Sequence, residues 1–477
     1  MSSTSYLGKK GYTIHKSELT VSQQENIRKL LRVRAYVPNS PVKGDEFEVY
    51  RESKSKMYVP RYFGMQHFGK PTKNKLPLCE KINLPFAGEL RDYQNHIVGE
   101  FMKKASDGGG LLEIPCGRGK TVMALKILSE IGVKTLVVVH KSFLLNQWVE
   151  RIEQFLPGAR VGRIQGQIID VEDKDVVIGM LQSLSMKDYP NSMFESFGLT
   201  IVDEVHHIAA EVFVRSLFKI VSHHMLGLSA TMQRKDGLTK VFKMFLGDVV
   251  YKEKANMEHN VLVKAIEFQS ADEEFNTIVY DYRGNPQYST MISKLCSFYD
   301  RSNFILKVLK TSFQEDPKQQ IIILAHNKNL LTYLYKAIDE DDYATVGYYV
   351  GGMKEAALKE SESKNIIIAT YSMASEALDI KSLTTLLMAT PKTDITQSVG
   401  RILRTKHSQP VVIDIIDKHP LFQRQWQKRK TYYHKQKYSI IKTTNVGYNS
   451  NNWEKIEKKK KGKNNPDENA MIGKCLI

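Results

Sequence analysis

Seven consecutive residues, Pro115-Cys116-Gly117-Arg118-Gly119-Lys120-Thr121, combine backbone freedom with a cation and a hydroxyl. Glycines let a loop curl until its N–H groups point inward at phosphate oxygens, and a helix starting at the loop's end favours negative charge there. In that setting Lys120 reaches the β- and γ-phosphates of a nucleotide, and the Thr121 hydroxyl binds Mg²⁺. The pattern G-x-x-x-x-G-K-[ST] asks for glycine at position 114, where this chain has Ile114. Further on, Asp203-Glu204-Val205-His206 follows the apolar run Leu199-Thr200-Ile201-Val202. A carboxylate at the C-terminal end of a parallel strand stands at the ligand crevice of its sheet. Asp203 there suits a hydrated Mg²⁺, and Glu204 a water to be polarised for attack. The alternative for the pair is a solvated acidic turn. Arg401 and Arg404, within Gln397-Ser398-Val399-Gly400-Arg401-Ile402-Leu403-Arg404, are three apart on an expected helix and share a face. Arginines brought from a second domain stabilise charge on a transferring phosphoryl group. On their own they read as surface arginines.

The elements that must hold these groups follow from hydrophobic patterning. Residues 84–251 alternate strand, loop and helix. Strands are expected at 111–114, 135–139, 176–178, 199–202 and 225–228, with helices at 121–131 and 142–155. Such alternation predicts a parallel sheet with helices on both faces. Residues 252–300 read as a connecting strand and helical insertion. A second α/β domain spans 301–418, with strands at 321–324, 345–349, 366–369, 385–388 and 411–415. Residues 1–80 read as a small α+β module: a helix at 22–33, then strands at 47–50 and 57–59, with Pro60 ending the last. Its Tyr50, Arg51, Tyr58, Arg61 and Tyr62 suit base stacking with phosphate pairing, or equally the core and rim of the module. Residues 419–477 form a basic extension carrying Lys458-Lys459-Lys460-Lys461. It reads first as a solvated terminus, and second as a nucleic-acid attractant or nuclear signal.

Charge and composition narrow the class. The formal net charge of +17 favours a polyanionic partner, since each lysine or arginine on a phosphate releases counterions. Cys79, Cys116, Cys296 and Cys475 lack metal or disulfide spacing, which fits a reducing compartment. His207 and the pair His223-His224 also lack ligand spacing and read as structural. No apolar run is long enough for a bilayer and no signal-peptide core opens the chain, so a soluble intracellular protein, cytoplasmic or nuclear, without membrane partner, is expected.

The ordered set of motifs resembles the superfamily 2 helicases of the DExH kind. Leu90-Arg91-Asp92-Tyr93-Gln94 resembles their adenine-recognising element, and Pro115 to Thr121 motif I. His140-Lys141 with Asn146-Gln147-Trp148 resembles motif Ia, and Gln182-Ser183-Leu184 the element after it. Asp203 to His206 resembles motif II, Ser229-Ala230-Thr231 motif III, Ala325-His326-Asn327 motif IV, Thr370 to Ile380 motif V, and Gln397 to Arg404 motif VI. The match is nearest in look to the xeroderma-pigmentosum-B (Rad25) and phage UvsW branch. Arg234-Lys235-Asp236 resembles that branch's Arg-Glu-Asp element, with lysine replacing the acid. Ala377 replaces a common motif V glycine. The compact size and N-terminal module resemble helicases of large DNA viruses, which would place the protein at the site of viral genome transcription or replication, or packaged in the virion.

The resemblance implies two tandem RecA-like domains, ATP and Mg²⁺ as cofactors, and hydrolysis coupled to movement along a strand. It implies catalysis by Lys120, Asp203, Glu204, Gln397, Arg401 and Arg404. Nucleotide contacts would come from Arg91, Gln94, Pro115, Cys116, Gly117, Arg118, Gly119, Lys120 and Thr121, with Mg²⁺ on Thr121 and Asp203. Coupling would run through His206, Ser229 and Thr231, and nucleic-acid contact through His140, Lys141, Gln182 and Thr370. The leading expectation is a motor on double-stranded or branched DNA. An RNA helicase is the second, since no 2′-hydroxyl reader is recognisable. An ATP-gated clamp with little strand separation is the third. A nuclease is disfavoured, because no second acidic cluster accompanies Asp203 and Glu204.

Overall fold

Apolar strands separated by amphipathic helices have one economical packing, a parallel sheet covered on both faces. The computed structural model describes residues 5–36, 44–115, 117–190, 192–232, 234, 236–253, 260–376, 378, 380–405 and 407–457. It divides into two units, Met1–Asn256 and Met257–Ile477.

The main sheet of the first unit has eight strands. Their order is Ile168–Ile169, Val161–Gln165, Val176–Met180, Thr135–Val139, Leu199–Val202, His224–Ser229, Gly109–Glu113 and Val249–Lys252. All neighbours are parallel except the first pair. The strands Gly109–Glu113, Thr135–Val139, Val176–Met180 and Leu199–Val202 are buried along their whole length. Strand Gly109–Glu113 is separated from the next in sequence among the long strands, Thr135–Val139, by two intervening strands. That crossover opens a crevice at the strands' C-terminal ends.

The N-terminal module is a five-stranded sheet, in the order Arg51–Glu52, Lys56–Val59, Gly11–His15, Tyr6–Gly8 and Lys73–Asn74. The expected helix runs over Val21–Leu31, with Thr20 and Gln23 forming its capping box. Val33 falls instead in a short strand, Arg32–Arg34, paired with Glu46–Glu48. The module does not keep a core of its own. Its Tyr12, Met57 and Phe63 share one apolar cluster with Phe213, Phe242 and Phe245 of the larger sheet's helices. Arg61 crosses the same junction, donating to the carbonyls of His223 (2.7 Å) and Asp107 (3.2 Å).

The second unit carries a sheet in the order Val346–Tyr349, Ile366–Thr370, Gln320–Ala325, Leu383–Met388, Val411–Asp417, Leu262–Phe268, Ser439–Thr444 and Glu454–Lys455. Only the last pair is antiparallel. Here the sequence reading needs correction at both ends. Strand Leu262–Phe268 pairs along its full length with Val411–Asp417, so the domain begins well before residue 301. Strand Ser439–Thr444 flanks it, so the chain past residue 418 is part of the sheet rather than an appended tail. The basic run misleads because only one face of helix Pro420–Lys435 is wet. Its other face buries Phe422, Trp426, Arg429 and Tyr433. The lysine run from residue 458 lies outside the described residues.

Arg429 shows what an arginine does inside. Its Nε and Nη2 reach the two oxygens of Asp414 at 2.8 and 2.9 Å, Tyr433 Oη donates to Asp414 at 3.0 Å, and Nη1 donates to Lys392 O at 2.9 Å. Arg301 forks onto Asp417 in the same way, at 2.6 and 2.9 Å. Breaking a buried pair by removing one partner strands the other charge and costs roughly 3–5 kcal/mol. Arg429→Met should therefore lower unfolding stability by that order in a denaturant titration. The exposed Lys435→Ala should change it by less than about 0.5 kcal/mol.

Candidate nucleotide site

The loop 115–119 leaves strand Gly109–Glu113 and opens helix Lys120–Ile131. Gly119 takes the left-handed conformation, φ 81° and ψ 36°, at the helix N-cap. The positive φ favours glycine there, and a Cβ would also have to displace the Gln94 amide, 2.4 Å away. Cys116 lies outside the described residues, as do Lys235 and Ala377. The loop is braced from the adenine-element helix Asp92–Ala105. Gln94 accepts from Arg91 N at 3.0 Å and donates to Arg118 O at 3.1 Å, and Tyr93 Oη donates to the same carbonyl at 3.3 Å. The Arg118 guanidinium lies 3.7 Å from the Tyr93 ring centroid and pairs with Glu253 through Nε at 2.8 Å.

Strand Leu199–Val202 sits in the sheet's interior and delivers Asp203 and Glu204 to the same edge. Lys120 Nζ stands 3.2 Å from Glu204 Oε1. Glu204 adopts φ 47° and ψ 49°, the left-handed region, where a residue with a Cβ is strained by about 1–3 kcal/mol. Its amide donates to Asp203 Oδ1 at 2.9 Å. Asp203 is buried, and Trp148 Nε1 donates to its Oδ2 at 2.9 Å. Burial first, then the neighbouring Glu204 charge, pushes the Asp203 carboxyl up to about 6. The sequence places Trp148 only within the motif Ia resemblance; its contact with Asp203 was missed, although a buried indole N–H needs an acceptor.

Motifs II and III are joined through His206. Its Nδ1 lies 2.9 Å from Ser229 Oγ and 3.3 Å from Glu204 Oε2. Ser229 Oγ already donates to Thr231 O at 2.5 Å. A hydroxyl committed elsewhere and a carboxylate both call for the proton on Nδ1. Arg234 closes the loop from behind, donating to His206 O at 2.8 Å and to Asp236 at 2.9 Å. The Arg234–Asp236 element thus braces motif II.

The expected nucleic-acid contacts separate. Gln182 is exposed and donates to His140 O at 3.0 Å, and Lys141 is partly exposed. His140 is buried. Tyr50, Arg61 and Tyr62 of the module are likewise taken up in packing, and Arg61 loses basicity by desolvation. In the second unit, Thr370 ends strand Ile366–Thr370, and its Oγ1 accepts from Met373 N at 3.4 Å. Gln397 lies on the short helix Thr396–Gly400, and Arg401 opens a 3₁₀ turn, Arg401–Leu403. Arg401 Nη1 donates to Leu378 O at 2.7 Å. Burial, then Glu362, holds the Tyr349 phenol far up, while Arg401 and Arg404 pull it down, so both guanidiniums act on one neighbourhood.

The donor set fits a nucleotide with a divalent cation. Among the described residues no group of three or more His, Cys, Asp or Glu could hold a metal. Asp203, buried and hard to ionise, is the carboxylate such a cation would relieve. Among the described residues no helix is long and apolar enough to cross a membrane.

Similarity to known proteins identifies the family. The model of the type III restriction enzyme res subunit family matches residues 87–234. A protein of Acanthamoeba polyphaga mimivirus, L396, named as a candidate ATP-dependent RNA helicase, is 34% identical over 447 residues, covering 91% of this chain and 85% of its own. QP509L of African swine fever virus (isolate Tick/South Africa/Pretoriuskop Pr4/1996), named likewise, is 27% identical over 410 residues, covering 80% of this chain and 78% of its own. The crystal structure of T4 UvsW aligns over 89% of this chain and 96% of its own, at 17% identity and a TM-score of 0.36. The chain belongs to the superfamily 2 helicases, enzymes that couple ATP hydrolysis to work on nucleic acid. Its similarity runs to helicases of large DNA viruses.

Because folding raises the Asp203 carboxyl above its ordinary 3.8, ionising it opposes folding. The penalty is full above about pH 6 and vanishes below the unfolded value near 4. Asp203→Asn in EDTA and without nucleotide should raise Tm at pH 8. The gain should shrink to nothing as the pH falls to about 4. Equal Tm values at pH 8 would contradict the buried charge.

Proposed function

We propose that the protein is an ATP-driven nucleic-acid motor acting on double-stranded or branched DNA. One observation carries the chemistry: Lys120, Asp203, Glu204, His206 and Ser229 converge at the C-terminal edge of one parallel sheet. In the resting site Lys120 is held by Glu204. Lys120 exchanges this partner for nucleotide phosphate, which leaves Glu204 to orient water, with His206 Nδ1 standing 3.3 Å from its other oxygen. Thr121 and Asp203 would hold Mg²⁺, which when bound would supply positive charge against the phosphates. Trp148 fixes the Asp203 carboxylate, so the metal ligand does not swing. Gln397, Arg401 and Arg404 are assigned to phosphoryl-charge stabilisation, and Lys141, Gln182 and Thr370 to strand contact. Arg91 and Gln94, with the loop from Pro115 through Cys116, Gly117, Arg118 and Gly119, are assigned to the nucleotide.

A second reading, an RNA helicase, is favoured by the names borne by the mimivirus and African swine fever virus relatives. Steady-state ATPase with duplex, forked and single-stranded DNA and with structured RNA separates the two. Stimulation by DNA, lost by at least about 100-fold in Lys120→Ala and Glu204→Gln, is the expected result. Stimulation by RNA alone would replace the DNA reading. Hydrolysis indifferent to every polymer would overturn the motor. His206→Ala should keep ATP binding yet unwind fewer base pairs per ATP hydrolysed. An unchanged ratio would remove its coupling role.

A further inference from the structure

The N-terminal sheet has two unlike faces. One carries Tyr12, Ile14, Met57 and Val59, all buried in the core. On the other face, strand register sets Arg51 beside Tyr58, Tyr58 beside Thr13, Thr13 beside Tyr6, and Tyr6 beside Lys73. Directly paired residues share a face, so Tyr58, Thr13, Tyr6 and Lys73 form one row across the sheet, with Thr13 buried, while the Arg51 guanidinium lies over Phe218. Tyr58 and Tyr6 stand two strands apart, about 10 Å. Lysines surround the rings. Lys75 Nζ lies 4.2 Å and Lys56 Nζ 5.5 Å from the Tyr6 centroid, and Lys10 Nζ lies 5.1 Å from that of Tyr58. Lys56 also donates to Tyr6 Oη at 3.1 Å. Among the described residues none of Lys10, Lys56, Lys73 and Lys75 pairs with a carboxylate, whereas their neighbours Lys9, Lys16 and Lys70 do.

We infer that this face is a binding surface for single-stranded nucleic acid, separate from the strand path of the motor. Unpaired bases stack on Tyr6 and Tyr58, and the lysines move from the rings to the phosphates. A duplex hides the faces of its bases and cannot use the two rings. An acidic protein would satisfy the lysines but has no use for flat aromatic rings spaced along a row. The inference rests on nucleic acid being the protein's polymer.

The test uses the full chain and fluorescence anisotropy with labelled single strands of about 20 nucleotides, DNA and RNA, and a matching duplex. Tyr6→Ala/Tyr58→Ala should weaken single-strand binding at least about tenfold and duplex binding by less than about threefold. Tyr6→Phe/Tyr58→Phe should restore wild-type affinity, since stacking needs the ring and not the hydroxyl. Lys56→Gln/Lys73→Gln/Lys75→Gln should flatten the slope of log affinity against log salt by about 2. Polymer-free ATPase and Tm should stay at wild-type values in all three. Unchanged single-strand affinity in the alanine variant would overturn the inference. So would equal losses for duplex and single strand, or failure of phenylalanine to restore binding. The motor reading fails by a different result, the absence of polymer-stimulated ATPase, so the two are judged independently.

Discussion

A carboxylate held out of water beside a second carboxylate is the constraint around which the first unit is organised. Asp203 reaches its place because strand Leu199–Val202 runs through the middle of a sheet covered on both sides. The same burial that makes ionisation costly makes the group a firm anchor for a cation. Everything nearby answers that charge. Trp148 donates to it, Lys120 stands across from its neighbour, and Glu204 bends into a strained conformation to face the loop. The site is stored work, held by the packing of the strands beneath it.

Much of this was legible in the residues. Strands at 135–139 and 199–202 and the helix at 142–155 were readable because their burial is uniform or their periodicity clean. The loop from Pro115 to Thr121 and the acids at 203 and 204 were readable because chemistry restricts residue type at both. The left-handed turn at Glu204 was not, since the usual signal for that conformation is glycine. A connecting strand was expected between residues 252 and 300, but its membership of the second sheet was not legible, because Lys264 and Glu267 interrupt the apolar run of Leu262–Phe268. Its Lys264 and Glu267 find partners in Glu315 and Lys442.

The second unit shows why charge counts mislead. Arg301 and Arg429 add to the basic total, yet each is spent inside on a forked carboxylate. Neither can meet a phosphate backbone. Arg401 is also buried, and it donates to the Leu378 carbonyl.

The shared apolar cluster between the N-terminal sheet and the first motor sheet reaches beyond stability. A segment with its own core can be gained, lost or exchanged between genes as a cassette. This one cannot, because removing it would leave Phe213, Phe242 and Phe245 facing water. The N-terminal sheet is therefore a lid on the larger sheet's helices as much as a surface of its own.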